Sequence, residues 1–404
     1  MITPAFSLTA TERVLPRMAL DFTTASLDSR VTFTRTGNTA TVTNSSGYVV
    51  PINADLPRFD YDPVALTCKG LLIEELRTNL ISYSEELDNV VWNPNNAPTI
   101  VANDGTSPGN TVTADSFLAS GALSGVYRAF TVVSGLPHTF SIYLKYVSGG
   151  TGARVGCDAN PANGYIDVNT QTGAITAVGA SVTSSSTQNV GNGWFRVTGT
   201  YTTTTVATIL ILYGMAATNK FLAWGFQLEA GAFATSYIPT VASQVTRTAD
   251  TATMTGTNFS SWYNASEGAF VASAVIARQA TIGSTAIFSA NDTTATNFIN
   301  CFYRGSGALG VTMTAASVSQ LDQTPLGVTV ANTIVNIGMA YKVSNTVSYA
   351  NGTVQTSTAA LAIPTITQLQ IGVSFVGVYL NGYVKNLKFY KQRILNAEGQ
   401  AFSK

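Results

Sequence analysis

An all-β chain of two tandem antiparallel sandwiches behind an extended N-terminal arm is the fold class that the 404-residue sequence predicts, on three observations. Charged residues make up only 10% of the chain, against roughly 25% in ordinary soluble domains, so the Glu, Lys and Arg that fill exposed helix faces are scarce. The polar remainder is dominated by Thr, Ser, Asn and Gly, residues of strands and turns. β-prone runs recur at short intervals between Gly, Asn and Pro, and only the tail "LNAEGQAFSK" reads as a helical turn, with Asn396 as its cap.

Residues 1–77 form the arm. In it "RVTFTR" and "TATVT" flank "TGN", a hairpin loop by composition, after which Pro51, Pro57 and Pro63 break regularity and leave an extended path. Residues 78–246 carry "HTFSIYLKYV", "GYIDVNTQTGAITAV", "GWFRVTGTYTTT", "ATILILYG" and "FLAWGFQLEAG", separated by turn residues. Their alternation fits half-buried antiparallel strands, Gly173 supplies a positive φ to one hairpin, and the spacing predicts a sandwich or jelly roll. In "FLAWGFQLEAG" the period of two puts Trp224, Phe226 and Leu228 on one core-facing side and leaves Glu229 to bond backbone amides. "AFATSYIPT" then leaves the sheet, with Tyr237 and Ile238 sealing its edge. Residues 247–404 hold a second series of strands, including "SYANGTVQT", whose Asn-Gly predicts a two-residue hairpin turn.

Two stretches of this last segment, "VNIGMAYKVSNTVSYANGTVQ" and "LQIGVSFVGVYLNGYVKNLKFYKQRILNAEGQAF", resemble the concanavalin-A-like, or laminin-G-like, lectin fold in order and spacing. Upstream, "RFDYDPVALTCKGLLIEELRTNLISYSEELDNVVW", "VGNGWFRVTGTY" and "GFQLEAGAFATSYIPT" are together similar to a module of bacteriophage head-spike, head-fibre and tail-fibre proteins, in which a carbohydrate-binding-module-like jelly roll precedes a lectin-like sandwich. The resemblance implies a virion structural protein that projects from the particle, binds host surface glycan during adsorption, docks to other virion proteins through its N-terminal arm and forms homotrimers. A ligand-free decoration protein and a glycan depolymerase are the competing readings.

Composition narrows the chemistry. Twenty-one basic and twenty-one acidic residues cancel, with no Lys/Arg cluster, so nucleic acid is not an expected partner. The longest apolar stretch, "VATILILYGMAA" at 206–217, is too short to span a bilayer. The first residues lack the basic start and apolar run of a secretory signal, which predicts assembly in a bacterial cytoplasm. Cys68, Cys157 and Cys301 are odd in number and far apart, which argues against a disulfide framework or a zinc site. No cofactor or metal is expected.

Catalysis needs a positioned acid and base. Glu74 with Glu75 reads as a solvated face or an ion pair with Arg77, and Glu85 with Glu86, Asp158, Asp167 and Asp292 form no better pair. Lectin-fold glycanases carry an E-x-D-x-x-E strand, and residues 247–404 contain none. His138, the only histidine, reads as a surface or turn residue, and no serine lies in G-x-S-x-G. The expectation is a non-enzyme. Glycan binding needs aromatic faces beside amides, carboxylates or Arg. Trp194 and Trp224 read as core. Asn291, Asp292, Tyr303 and Arg304 in "NDTTATNFINCFYRG", with Trp262 and Tyr263 in "NFSSWYNASEG", are the candidate glycan site.

Overall fold

The computed structural model describes residues 15–37, 39–158, 163–202, 205–276, 284–328 and 332–404. The stretch read for a secretory signal, residues 1–18, lies outside them up to residue 14. Among the described residues, thirty-one strands and three short helical segments build an all-antiparallel β structure of two sandwiches, as the composition predicts.

The jelly-roll segment supplies two six-stranded sheets that enclose one core. Pro137–Ser148 lies between Trp194–Thr202 and Lys220–Ala230 in one sheet, and Gly152–Asp158 lies between Tyr165–Asn169 and Ala207–Gly214 in the other. Phe140, Ile142, Leu144, Val155, Leu210 and Leu212 meet between the sheets, fully buried. The second sandwich stacks an eight-stranded on a seven-stranded sheet, and Phe270, Phe288, Met339 and Phe389 fill its interior. Asn351 and Gly352 both take positive φ in the hairpin between Thr346–Ala350 and Thr353–Ser357, the two-residue turn that Asn-Gly predicts.

The N-terminal segment is placed differently from an arm laid beside the sandwiches. Met18–Asp21 and Cys68–Ile73 both pair with Gly382–Tyr390, and Thr32–Thr34 pairs with Thr251–Thr255. Met18, Leu20, Phe22, Phe33, Leu71 and Ile73 are buried in the second sandwich's core. The anticipated hairpin across "TGN" does not form. Thr32–Thr34 takes a partner more than 200 residues away, and Ala40–Thr43 pairs instead with Val49–Ile52. Strands of three or four residues carry no periodic signal, so their partners are set by the core they complete.

The jelly roll is therefore an insertion in the second sandwich. The chain enters it at Arg77–Asn79 and leaves at Val245–Arg247, and these two segments pair as an antiparallel ribbon. A buried ion cluster lies beside the ribbon. Arg58 donates to Glu74 (2.7 Å) and to both oxygens of Asp250, Arg35 reaches Asp250 at 3.4 Å, and Arg247 reaches Glu74 at 3.4 Å. Ser236 donates its N–H and Oγ–H to Glu74 at 2.9 and 2.7 Å, which brings the exit segment into the cluster.

That exit segment is the "SYIPT" stretch. Glu229 accepts from the N–H of Thr235 (2.9 Å) and from Gln227, whose own Oε1 accepts from the Ile238 N–H at 2.7 Å. Tyr237 and Ile238 are buried. One detail departs from simple alternation. The register between Pro137–Ser148 and Lys220–Ala230 slips between Ser141 and Tyr143, and Gly225 sits at φ 65°. This bulge sends Phe226 and Leu228 into the jelly-roll core and turns Trp224 to the opposite face, against Tyr143, Trp194 and Tyr237.

His138 is a second correction. It is 1% exposed, with Nδ1 3.0 Å from the Leu136 carbonyl, because it follows Pro137 directly into the strand. The C-terminal helix, Asn396–Phe402, starts on Asn396 and is capped by Leu395, whose N–H the Glu398 carboxylate accepts at 2.6 Å.

Candidate functional site

The outer face of the seven-stranded sheet is built by one register. Phe298–Tyr303 alternates strictly: Ile299, Cys301 and Tyr303 point into the core, while Phe298, Asn300 and Phe302 point outward. Asn300 is opposite Ser289 on one side and Thr312 on the other, Ser289 is opposite Gln370, Gln370 opposite Thr253, and Thr253 opposite Thr32. Thr312 faces Asp322 on the last strand. One row across seven strands thus carries only hydroxyl, amide and, at its end, carboxylate side chains. The next row brings Gln368, Asn291, Phe298 and Thr314 together.

At the centre of this face is a cleft of about 260 Å³ lined by Phe298, Asn300, Phe302, Arg304, Thr312 and Phe375, among others. The Phe298 and Phe375 rings are 4.9 Å apart, and the Arg304 guanidinium lies 4.8 Å over the Phe302 ring while pairing with Asp322. Gly310 makes room for this arrangement, since a Cβ there would stand 2.7 Å from Arg304 Nε and 2.9 Å from Phe302. Phe302 is 8% exposed beneath the guanidinium, so the cleft offers the ring surface of Phe298 and Phe375, a held guanidinium and neutral hydrogen-bonding groups side by side.

The six sequence candidates separate on this geometry. Arg304 lines the cleft. Asn291 is on the same face but fully buried, donating to Gln370 and Ser289 and accepting from Gln368 (all 2.8 Å) and the Thr293 N–H (2.9 Å). Asp292 closes a turn, accepting from Thr294 and Asn297, and these bonds outweigh burial to hold its carboxyl below the ordinary value. Tyr303 is 1% exposed and points to the core, so its ring offers no stacking face. Trp262 is likewise buried, donating Nε1–H to the Asn258 carbonyl at 2.7 Å. Tyr263 is half-buried against Phe259 and Phe389, and burial pushes its hydroxyl up to about 12. Trp262 and Tyr263 thus belong to the core of the second sandwich, separate from the cleft.

Phe298, Asn300, Phe302, Thr312 and Phe375 are the site residues that motif reasoning misses. A signal is present in "FINCFYRG": counting by two from Arg304 gives Phe302, Asn300 and Phe298. Four of the carboxylates weighed for catalysis, Glu74, Glu75, Glu85 and Asp167, are in structural bonds. Glu74 and Asp250 belong to the buried cluster, Glu75 pairs with Arg77 (2.5 Å), Asp167 with Arg154 (2.7 Å), and Glu85 accepts from the Tyr237 hydroxyl (3.1 Å). Among the described residues, no group of His, Cys, Asp and Glu has a metal-holding arrangement, and Cys68 and Cys301 form no disulfide. No helix among them is long and apolar enough to cross a membrane.

No protein-family model matches the sequence, and no curated protein matches it. Solved structures with similar strand arrangements include the carbohydrate-binding module CBM40 of the Ruminococcus gnavus IT-sialidase, at 11% identity, 36% of this chain, 88% of that one and a TM-score of 0.31. Domain 4 of AbnA, an extracellular arabinanase from Geobacillus stearothermophilus, in complex with arabinotriose, matches at 10% identity, 43% and 84% coverage and a TM-score of 0.33. A mutant of the NanB sialidase from Streptococcus pneumoniae matches at 14% identity over 37% of this chain, with a TM-score of 0.31, and the match spans 26% of that enzyme.

Proposed function

We propose that the chain is a non-enzymatic surface protein of a bacteriophage particle, a head spike or fibre or a tail fibre, that binds bacterial surface glycan through the outer face of its seven-stranded sheet. The observation that supports this reading is the cleft at Phe298, Phe302 and Phe375, where apolar ring surface adjoins Asn300, Thr312 and the held Arg304 guanidinium. Sugar rings present just such a mixture, with apolar C–H faces ringed by neutral hydroxyls. Docking to other virion proteins through the N-terminal segment, and trimerisation, are parts of the same proposal. Weak sites on several copies of a particle protein gain through avidity.

The test is a bacterial glycan array probed with the full chain and with Phe302→Ala and Arg304→Ala. A saturable signal that free sugar competes away, and that either substitution weakens at least about tenfold, supports the reading. Silence from a folded protein, or a signal indifferent to both substitutions, removes it. The buried cluster at the domain junction favours a second reading, a rigid ligand-free spacer. That reading predicts silence on the array with the protein still present on purified particles.

A further inference from the structure

The jelly roll carries a second face of unassigned chemistry, on the outside of the sheet that contains Gly152–Asp158. Val126, Val155, Ile166, Val168, Leu210 and Leu212 point into the core, so the alternate residues of the same strands point out. Two cross-strand rows result. In one, Asp167 is opposite Arg154, Arg154 opposite Tyr213, and Tyr213 opposite Gly125. In the other, Tyr165 is opposite Gly156, Gly156 opposite Ile211, and Ile211 opposite Tyr127.

These rows describe a shallow trough whose floor residue, Ile211, is 1% exposed. Gly156 and Gly125 admit no side chain, since a Cβ would stand 2.3 Å from the Gly164 carbonyl oxygen at the first and 2.1 Å from that of Leu212 at the second. Tyr165 and Tyr127 flank the low point, three strand spacings apart, or about 14 Å. Tyr127, Tyr165 and Tyr213 are each only partly buried, and none of their hydroxyls has a hydrogen-bond partner among the described residues. Arg154 donates Nε–H and Nη2–H to the two oxygens of Asp167 at 2.7 and 2.8 Å and lies 3.7 Å over the Tyr165 ring. Its charge is therefore neutralised and its guanidinium fixed, leaving a pre-set pair of donor and acceptor edges on a tyrosine platform.

We infer that this trough is a second saccharide site, independent of the sandwich cleft, that takes an extended, uncharged oligosaccharide lying across the strands from Tyr165 to Tyr127. Rings stack on Tyr127 and Tyr213, and hydroxyls bond the free phenols and the Arg154–Asp167 pair. The neutral pair selects against a carboxylated chain, because it offers an anion no net charge to offset its desolvation.

The test is affinity electrophoresis of the full chain in gels containing dextran, mannan, galactan or alginate. At least one neutral polymer is expected to retard the protein, and alginate is not. Tyr127→Ala and Tyr213→Ala each weaken retardation at least about tenfold, whereas Phe302→Ala in the sandwich cleft leaves it unchanged. Tyr213→Phe, which keeps the ring and removes only the hydroxyl, gives a smaller loss and guards against a folding artefact. Absence of retardation in all three neutral gels overturns the inference. So does retardation by alginate alone, indifference to the tyrosine substitutions, or loss with Phe302→Ala. The last of these returns the ligand to the sandwich cleft and leaves the proposed function standing.

Discussion

Arg58→Met tests whether the junction cluster holds the two sandwiches together. Arg58 is fully buried and donates four hydrogen bonds: two to Asp250, one to Glu74 at 2.7 Å and one to Ser236 Oγ at 2.8 Å. Methionine fills most of the volume and supplies no donor. Asp250 then keeps Arg35 at 3.4 Å and Arg247 at 3.9 Å, and Glu74 keeps Arg247 at 3.4 Å, all longer than the bonds that Arg58 makes. Removing one partner of a buried pair costs about 3–5 kcal/mol, and the surviving arginines place this case at the low end. At roughly 2–4 °C per kcal/mol for domains of this size, the unfolding midpoint of the second sandwich should fall by on the order of 10 °C in calorimetry. Glu74 gives an independent pH signature. Burial alone would raise its pKa, but Arg247 and Arg58 hold it well below the ordinary 4.5. A depressed folded-state pKa means stability that is present above pH 4.5 and lost as pH falls below it. Arg58→Met should shrink that loss. A midpoint within about 2 °C of wild type, or an unchanged acid limb, would show that the cluster contributes nothing net.

Three further perturbations follow from single residues. Gly225→Ala places a Cβ at φ 65° and 3.1 Å from the Tyr143 ring, so urea unfolding followed by tryptophan fluorescence should show a loss of about 1–2 kcal/mol. Gly352→Ala strains the Asn-Gly turn at φ 80°, but the nearest atom is the flexible Lys404 Cγ at 3.0 Å. About 1 kcal/mol is expected there by the same assay, with no change in the jelly-roll transition. Burial pushes the Asp115 carboxyl up to about 6 from the ordinary 3.8. The folded state therefore binds this proton more readily than the unfolded one, and the jelly roll should lose stability as pH rises from 3.8 through about 6. Urea midpoints at pH 5 and pH 7 measure the difference, and Asp115→Asn should flatten it.

Long strands are legible in the sequence and short ones are not, for a physical reason. Pro137–Ser148, Trp194–Thr202 and Glu267–Ile276 each run nine or more β-prone residues, long enough to read as strands before any partner is known. Thr32–Thr34, Phe59–Tyr61 and Met18–Asp21 do not, and the first and last of these find their place in the second sandwich through partners hundreds of residues away. Simple alternation puts Trp224 on the wrong face because of a single glycine, since one bulged residue inverts the faces on either side of it. The candidate site is legible in part. The segment around Arg304 holds the cleft, but of the neighbours Phe302 and Tyr303 the tyrosine, named as the aromatic candidate, is the core-facing member of an alternating pair. Burial of Trp262 depends on Phe270 and Phe389, one of them over a hundred residues away, which no local pattern encodes.

An inserted domain has two covalent connections to its host where a tandem one has a single connection, and here the two are zipped together as a ribbon. A single linker allows rotation unless the interface is large, which is why mobility is the ordinary expectation between domains. A hydrogen-bonded ribbon beside Arg35, Arg58, Arg247, Glu74 and Asp250 removes that freedom, since turning the jelly roll would pull Ser236 away from a buried carboxylate. Leaving such a carboxylate short of donors costs more than an exposed contact could return. The jelly-roll trough and the sandwich cleft are thus held at a fixed separation and angle. Under the proposed glycan reading, a fixed separation sets the effective concentration at the second site once the first is filled, and it favours polymers whose repeat matches the span. Arg58→Met should then reduce binding to a long polymer more than binding to a short oligosaccharide that reaches one site only. Equal loss for both would mean that the junction serves stability alone.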